Sequence, residues 1–143
     1  MTANSYEKND KSGVVICHIC YGIYAFVLIT FIAFIYYDIY EFSWIAFIPP
    51  IIGMWINYFN RSIATSVCLS HHNWMIKTFW MSVWILVFIL AIAVMMTNIV
   101  NSQITSARTQ SIVLLTMGIM FLVWYIYRIV KGWRRLCERK SIG

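Results

Sequence analysis

Charge is what this sequence has least of. Asp, Glu, Lys and Arg make up 11% of its 143 residues, and only five are acidic. A soluble domain carries roughly a quarter charged residues and about half apolar ones. Here 62% are hydrophobic, and a globule this small has too little interior to hide them. A water-soluble fold is excluded, so lipid becomes the solvent for most of the chain. The scarcity of carboxylates excludes more. None falls in the middle of an apolar segment, where proton pumps and ion-coupled carriers keep theirs. No carboxylate pair suits acid–base work, no Ser/His/Asp set has a recognisable spacing, and no glycine-rich phosphate loop is present. No enzyme and no cofactor are expected.

What is present is apolar and long. Four segments stand out: Val14 to Tyr37, Phe42 to Phe59, about Phe79 to Met96, and Ser111 to Val130. A helix needs about 20 residues to cross roughly 30 Å of hydrocarbon. The expected fold is therefore all-α, a bundle of four transmembrane helices. A polar N-terminal tail (1–13) precedes the transmembrane domain (14–130), and a basic tail (131–143) follows it. The first apolar run is too long for a signal-peptide core and lacks an Ala-x-Ala site, so it reads as a retained anchor. "DIYE" makes a tight hairpin tip with Asp38 and Glu41. Tyr36, Tyr37, Tyr40 and Trp44 crowd one boundary, and Trp80, Trp124, Tyr125 and Trp133 mark others, as interfacial aromatics do.

With four spans, the N-tail, the middle loop and the C-tail share one side. That side carries Lys8, Lys11, Arg61, Lys77, Arg128, Lys131, Arg134, Arg135, Arg139 and Lys140; the other carries only Arg108. The positive-inside rule places both termini in the cytoplasm. The net charge of +6 thus points to anionic headgroups and not to nucleic acid. The two prolines, Pro49 and Pro50, predict a kink or break in the second span, because neither can donate to a carbonyl one turn back. A packed, kinked span is the first reading. A discontinuous helix serving a small pore or transporter is the alternative.

Four cysteines and three histidines supply the remaining chemistry. "CHIC" sets Cys17 and Cys20 one turn apart, and "CLSH" sets Cys68 and His71 at the same spacing. Three thiolates and an imidazole suit tetrahedral zinc; buried free cysteines in a span are the competing reading. His18 with His71 or His72 is a further, haem-type reading. All four cysteines, Cys137 included, fall on the expected reducing face, which argues against a disulfide. In "LSHHNWMIKTFW", Ser70, Asn73 and Lys77 share a helix face, with Ile76, Phe79 and Trp80 on an apolar side. This is an amphipathic lead-in to the third span. In "WYIYRIVKGWRRLCERK", Arg128, Lys131 and Arg135 recur at i, i+3 and i+7, so the fourth span runs on as a basic helix.

"SHHNWMIKTFW" and "YRIVKG" together resemble a family of small four-span bacterial membrane proteins of unknown function. The matching positions are Ser70, His71, Trp74, Ile76, Thr78, Phe79 and Trp80, then Tyr127, Arg128, Ile129, Val130, Lys131 and Gly132. The resemblance implies a bacterial inner membrane, and it extends distantly to a Tic-like chloroplast inner-envelope import component of similar layout. His71 belongs to the shared pattern; the cysteines do not. The expectation is a non-enzymatic accessory or scaffold protein in the lipid bilayer. Its partners would be anionic headgroups and a membrane protein or second copy. His71, Trp74 and Lys77 are expected to pack against Arg128 and Lys131, with Arg134 and Arg135 on the same basic face.

Overall fold

A computed structural model describes residues 3–37, 45, 48–101 and 107–142, with side chains described for 12–30, 45, 48–97 and 108–142. The "DIYE" tip lies outside these residues, as does part of the polar stretch between the last two spans. Four helices follow in order: α1 (Ala3–Tyr37), α2 (Ile48–Asn60), α3 (Ser66–Asn101) and α4 (Ala107–Cys137). In lipid every backbone donor and acceptor must be satisfied within the element, which favours helix whatever the side-chain propensity. That is how α3, rich in Val and Ile, runs 36 residues; it contains neither Gly nor Pro. Among the described residues, three helices hold stretches long and apolar enough to span a membrane: Ser12–Thr30, Ser66–Thr97 and Arg108–Cys137.

Helix bounds and apolar segments do not coincide. The polar N-terminal stretch is already helical from Ala3. The lead-in around residues 70–80 is part of α3, which begins at Ser66. The helix start is set by Thr65, whose carbonyl accepts from the Leu69 amide at 2.7 Å. α2 begins at Ile48, so Pro49 and Pro50 lie in its first turn. There the missing amides have no intrahelical partner to lose. The kink or break expected in the second span falls where the chain enters this turn, at residues 46–47, which lie outside the described residues.

The helices form two compact units. The first comprises Met1–Phe79 and Arg128–Gly143, the second Trp80–Tyr127. The second unit is two apolar helix segments. Ile85, Phe88 and Ile89 from α3 and Met117, Met120, Phe121 and Trp124 from α4 line a cavity of about 220 Å³. Most of its other large side chains are exposed, among them Trp84, Leu90 and Leu115, as expected where lipid is the solvent.

The first unit has the true core. Cys17, Cys20, Tyr21 and Tyr24 of α1 are wholly buried, together with Asn57 of α2 and Cys68, His71, Met75 and Thr78 of α3. Ile129 and Leu136 of α4 are buried with them. Two glycines permit the close approach. A Cβ on Gly53 would lie 2.8 Å from the Tyr24 ring, and one on Gly132 would lie 2.8 Å from two ring carbons of Tyr21. α4 ends in a Schellman arrangement. The Lys140 amide reaches back to the Arg135 carbonyl at 3.0 Å, and Arg139 takes the left-handed conformation, φ 52°. The chain then folds back over α3, where Ile142 buries its side chain and donates its amide to Ser70 Oγ at 3.1 Å.

Candidate functional site

Polar side chains crowd the core of the first unit, and their hydrogen bonds are directional enough to assign protons. His71 Nε2 lies 3.0 Å from the Lys140 carbonyl, which can only accept, so Nε2 carries the proton. His71 Nδ1 then accepts from the Tyr21 hydroxyl at 3.0 Å. Asn57 is oriented by its own helix, donating Nδ2 to the Gly53 carbonyl at 2.6 Å. Its Oδ1 therefore faces His72 Nδ1, which donates at 2.6 Å. That leaves the His72 Nε2 lone pair directed at Cys17 Sγ, 3.6 Å away. His18 Nδ1 accepts from Trp133 Nε1 at 3.0 Å, and Trp133 stacks on Tyr21 at 6.2 Å between ring centroids.

A second knot joins α3 to the end of α4. Arg128 Nε donates to Thr78 Oγ1 at 2.7 Å, and that hydroxyl donates to the Trp74 carbonyl at 2.7 Å. Trp74 Nε1 returns a bond to the Arg128 carbonyl at 3.3 Å. The Arg128 guanidinium sits 4.0 Å above the Trp74 ring, and Lys131 Nζ lies 5.7 Å from it. Stacking on an aromatic face lets a cation keep its charge while losing water.

The structure brings Trp74 together with Arg128 and Lys131. It ties His71 elsewhere, to Tyr21 and to the strap after α4. Lys77 is exposed. Arg134 is exposed and pairs with Glu138 at 3.3 Å, one helical turn on. Arg135 donates to the Ser141 carbonyl at 3.4 Å. Glu138 also meets Lys140 Nζ at 3.0 Å; that bond, Lys140's charge and Arg134 hold its carboxyl below the usual range.

The residues read as a zinc set are placed differently from their spacing. Cys17, Cys20 and Cys68 are all buried, but both nitrogens of His71 are committed to protein partners. The imidazole that faces Cys17 is His72. Among the described residues, no three His, Cys, Asp or Glu are grouped to hold a metal ion. In the haem-type reading, His18 Nδ1 and both His71 nitrogens are likewise engaged. Asn57 and Tyr21 were not anticipated from sequence, though an Asn in an apolar helix and a Tyr one turn from a Cys are the signal polar glue leaves in a membrane span.

Compared with known proteins, the chain matches no protein-family model, no curated protein and no solved structure. The site therefore stands on its own geometry.

Proposed function

We propose that this protein is a non-enzymatic accessory or scaffold component of a bacterial inner membrane. The basic end of its first unit is the working surface, engaging anionic headgroups and a membrane partner. It crosses the bilayer four times, with α2 as the short second pass and both termini in the cytoplasm. Segregation of charge carries the reading. Arg61, Lys77, Arg134, Arg135, Arg139 and Lys140 are exposed and belong to the first unit, while residues 80–127 contain Arg108 as their one charged residue. Each exposed Lys or Arg near an anionic leaflet contributes about 1 kcal/mol of attraction. The hydrogen-bonded knot of Trp74, Thr78 and Arg128 belongs to the same unit. The resemblance to the four-span bacterial family supports an accessory role by analogy of layout.

The test is purification from native membranes of the wild type and of the Arg134→Glu, Arg135→Glu double variant. The wild type should retain anionic phospholipid or a co-purifying protein, and the variant, inserted to the same level, should lose it. Equal retention by both would remove the basis of the proposal.

A further inference from the structure

The first unit also holds chemistry that a scaffold does not need. Cys17 Sγ faces the unprotonated Nε2 of His72 at 3.6 Å, and Asn57 fixes that tautomer through its 2.6 Å bond to Nδ1. A thiol, an imidazole base and an amide that orients the base form a nucleophile set of the thiol–imidazole–amide kind. A second thiol adjoins it: Cys17 Sγ lies 4.0 Å from the backbone carbonyl of Cys68, and both side chains are wholly buried. The two helices are close there, since a Cβ on Gly13 would lie 3.3 Å from Cys68 Sγ.

We propose that Cys17 and Cys68 are a peroxide-responsive dithiol, with Cys17 as the attacking sulfur, His72 as its base and Cys68 as the resolving thiol. The Cys17 sulfur attacks one peroxide oxygen; an S–O bond forms and the O–O bond breaks. The thiol proton passes to His72 and then to the departing hydroxide, which leaves as water. Cys68 attacks the resulting sulfenic sulfur; an S–S bond forms, the S–O bond breaks, and a second water carries off the Cys68 proton. Two sulfurs lose two electrons and the peroxide accepts them. The product staples α1 to α3. Small size is required of the oxidant, because Cys17 and Cys68 have no exposed surface and can be reached only through local opening. Asn57 is a positioning residue in this scheme.

The experiment treats the full-length protein, in membranes and in detergent, with hydrogen peroxide and maps the cysteines by mass spectrometry. A Cys17–Cys68 disulfide is expected. In Cys68→Ser the sulfenic acid at Cys17 should be trapped by dimedone. His72→Gln, which preserves shape and hydrogen bonding but not the base, should slow Cys17 oxidation at least about tenfold, with Cys20 as protected as in the wild type. Cys20→Ser should change nothing. Wild-type oxidation confined to the exposed Cys137, or a disulfide through Cys20, would overturn the proposal without recourse to any variant. So would an unchanged rate in a folded His72→Gln protein.

Discussion

At the scale of single residues, the first unit depends on places where side chains have no room to be different. Tyr21 is the plainest case. Its ring lies against the backbone of Gly132, its hydroxyl donates to His71, and its face stacks on Trp133. A methyl group at 132 would press on the ring and on the hydroxyl, which is the nearest atom of all. Because both ends of the ring are held, it cannot swing aside as a flexible chain would. Gly132→Ala should therefore cost about 1–3 kcal/mol through overpacking. Thermal unfolding of the detergent-solubilised protein measures this. Gly118→Ala is the internal comparison, since its Cβ would meet nothing within 4 Å. That change should be neutral or stabilise by up to about 1 kcal/mol, as Ala does in a helix interior. Equal melting shifts for the two would show that Tyr21 is not locked.

At the scale of elements, the sequence was most legible where lipid alone dictates the outcome. Long apolar runs must be helical, so α1, α3 and α4 could be placed from composition. Their ends could not, because helix continuation beyond the apolar window depends on what the polar residues find to bind. Lys131, Arg134 and Arg135 stay helical to Cys137, and the chain turns only where Arg139 goes left-handed. Expected topology and the shared motif paired His71, Trp74 and Lys77 with Arg128 and Lys131, and Trp74 makes that contact. Spacing could not choose between His71 and His72 as the partner of Cys17, since adjacent residues on a helix face about 100° apart and only the tertiary neighbours decide. The strap after α4 supplies its own test. Glycine is the usual residue at the left-handed position, and an L side chain there is strained. Arg139 is exposed, so Arg139→Gly should raise the melting temperature by an amount equivalent to about 1 kcal/mol. Arg139→Ala, which keeps a Cβ, should not. The Glu138 carboxylate held by Lys140 and Arg134 has a depressed pKa. Its contribution to the strap is therefore full at neutral pH and fades as the pH falls below the ordinary glutamate range. Being exposed, it is a minor brace.

At the scale of the whole chain, the proposed four-pass topology asks a return crossing of a 13-residue α2. At 1.5 Å per residue it is about 20 Å long, well short of roughly 30 Å of hydrocarbon. The contacts within the first unit bear on this. Gly13 and Cys17, near the start of the α1 span, adjoin Cys68 at the start of α3. Asn57, near the end of α2, bonds His72 in the same region of α3. The strap after α4 bonds Ser70 and His71. The beginnings of α1 and α3 and the ends of α2 and α4 thus share one locality. If α1 crosses the bilayer, the chain must return before α3 begins, and α2 with the residues before it is the only segment available. A locally thinned bilayer or interfacial aromatics can accommodate the deficit; Trp55 and Tyr58 are exposed on α2. Reporter fusions read the outcome directly. A reporter active only in the cytoplasm should work at either terminus and when inserted at residue 63. One active only outside should work when inserted between residues 102 and 106. Opposite locations for the N-terminus and residue 63 would mean that α2 does not complete the return, and the proposed topology would fall with it.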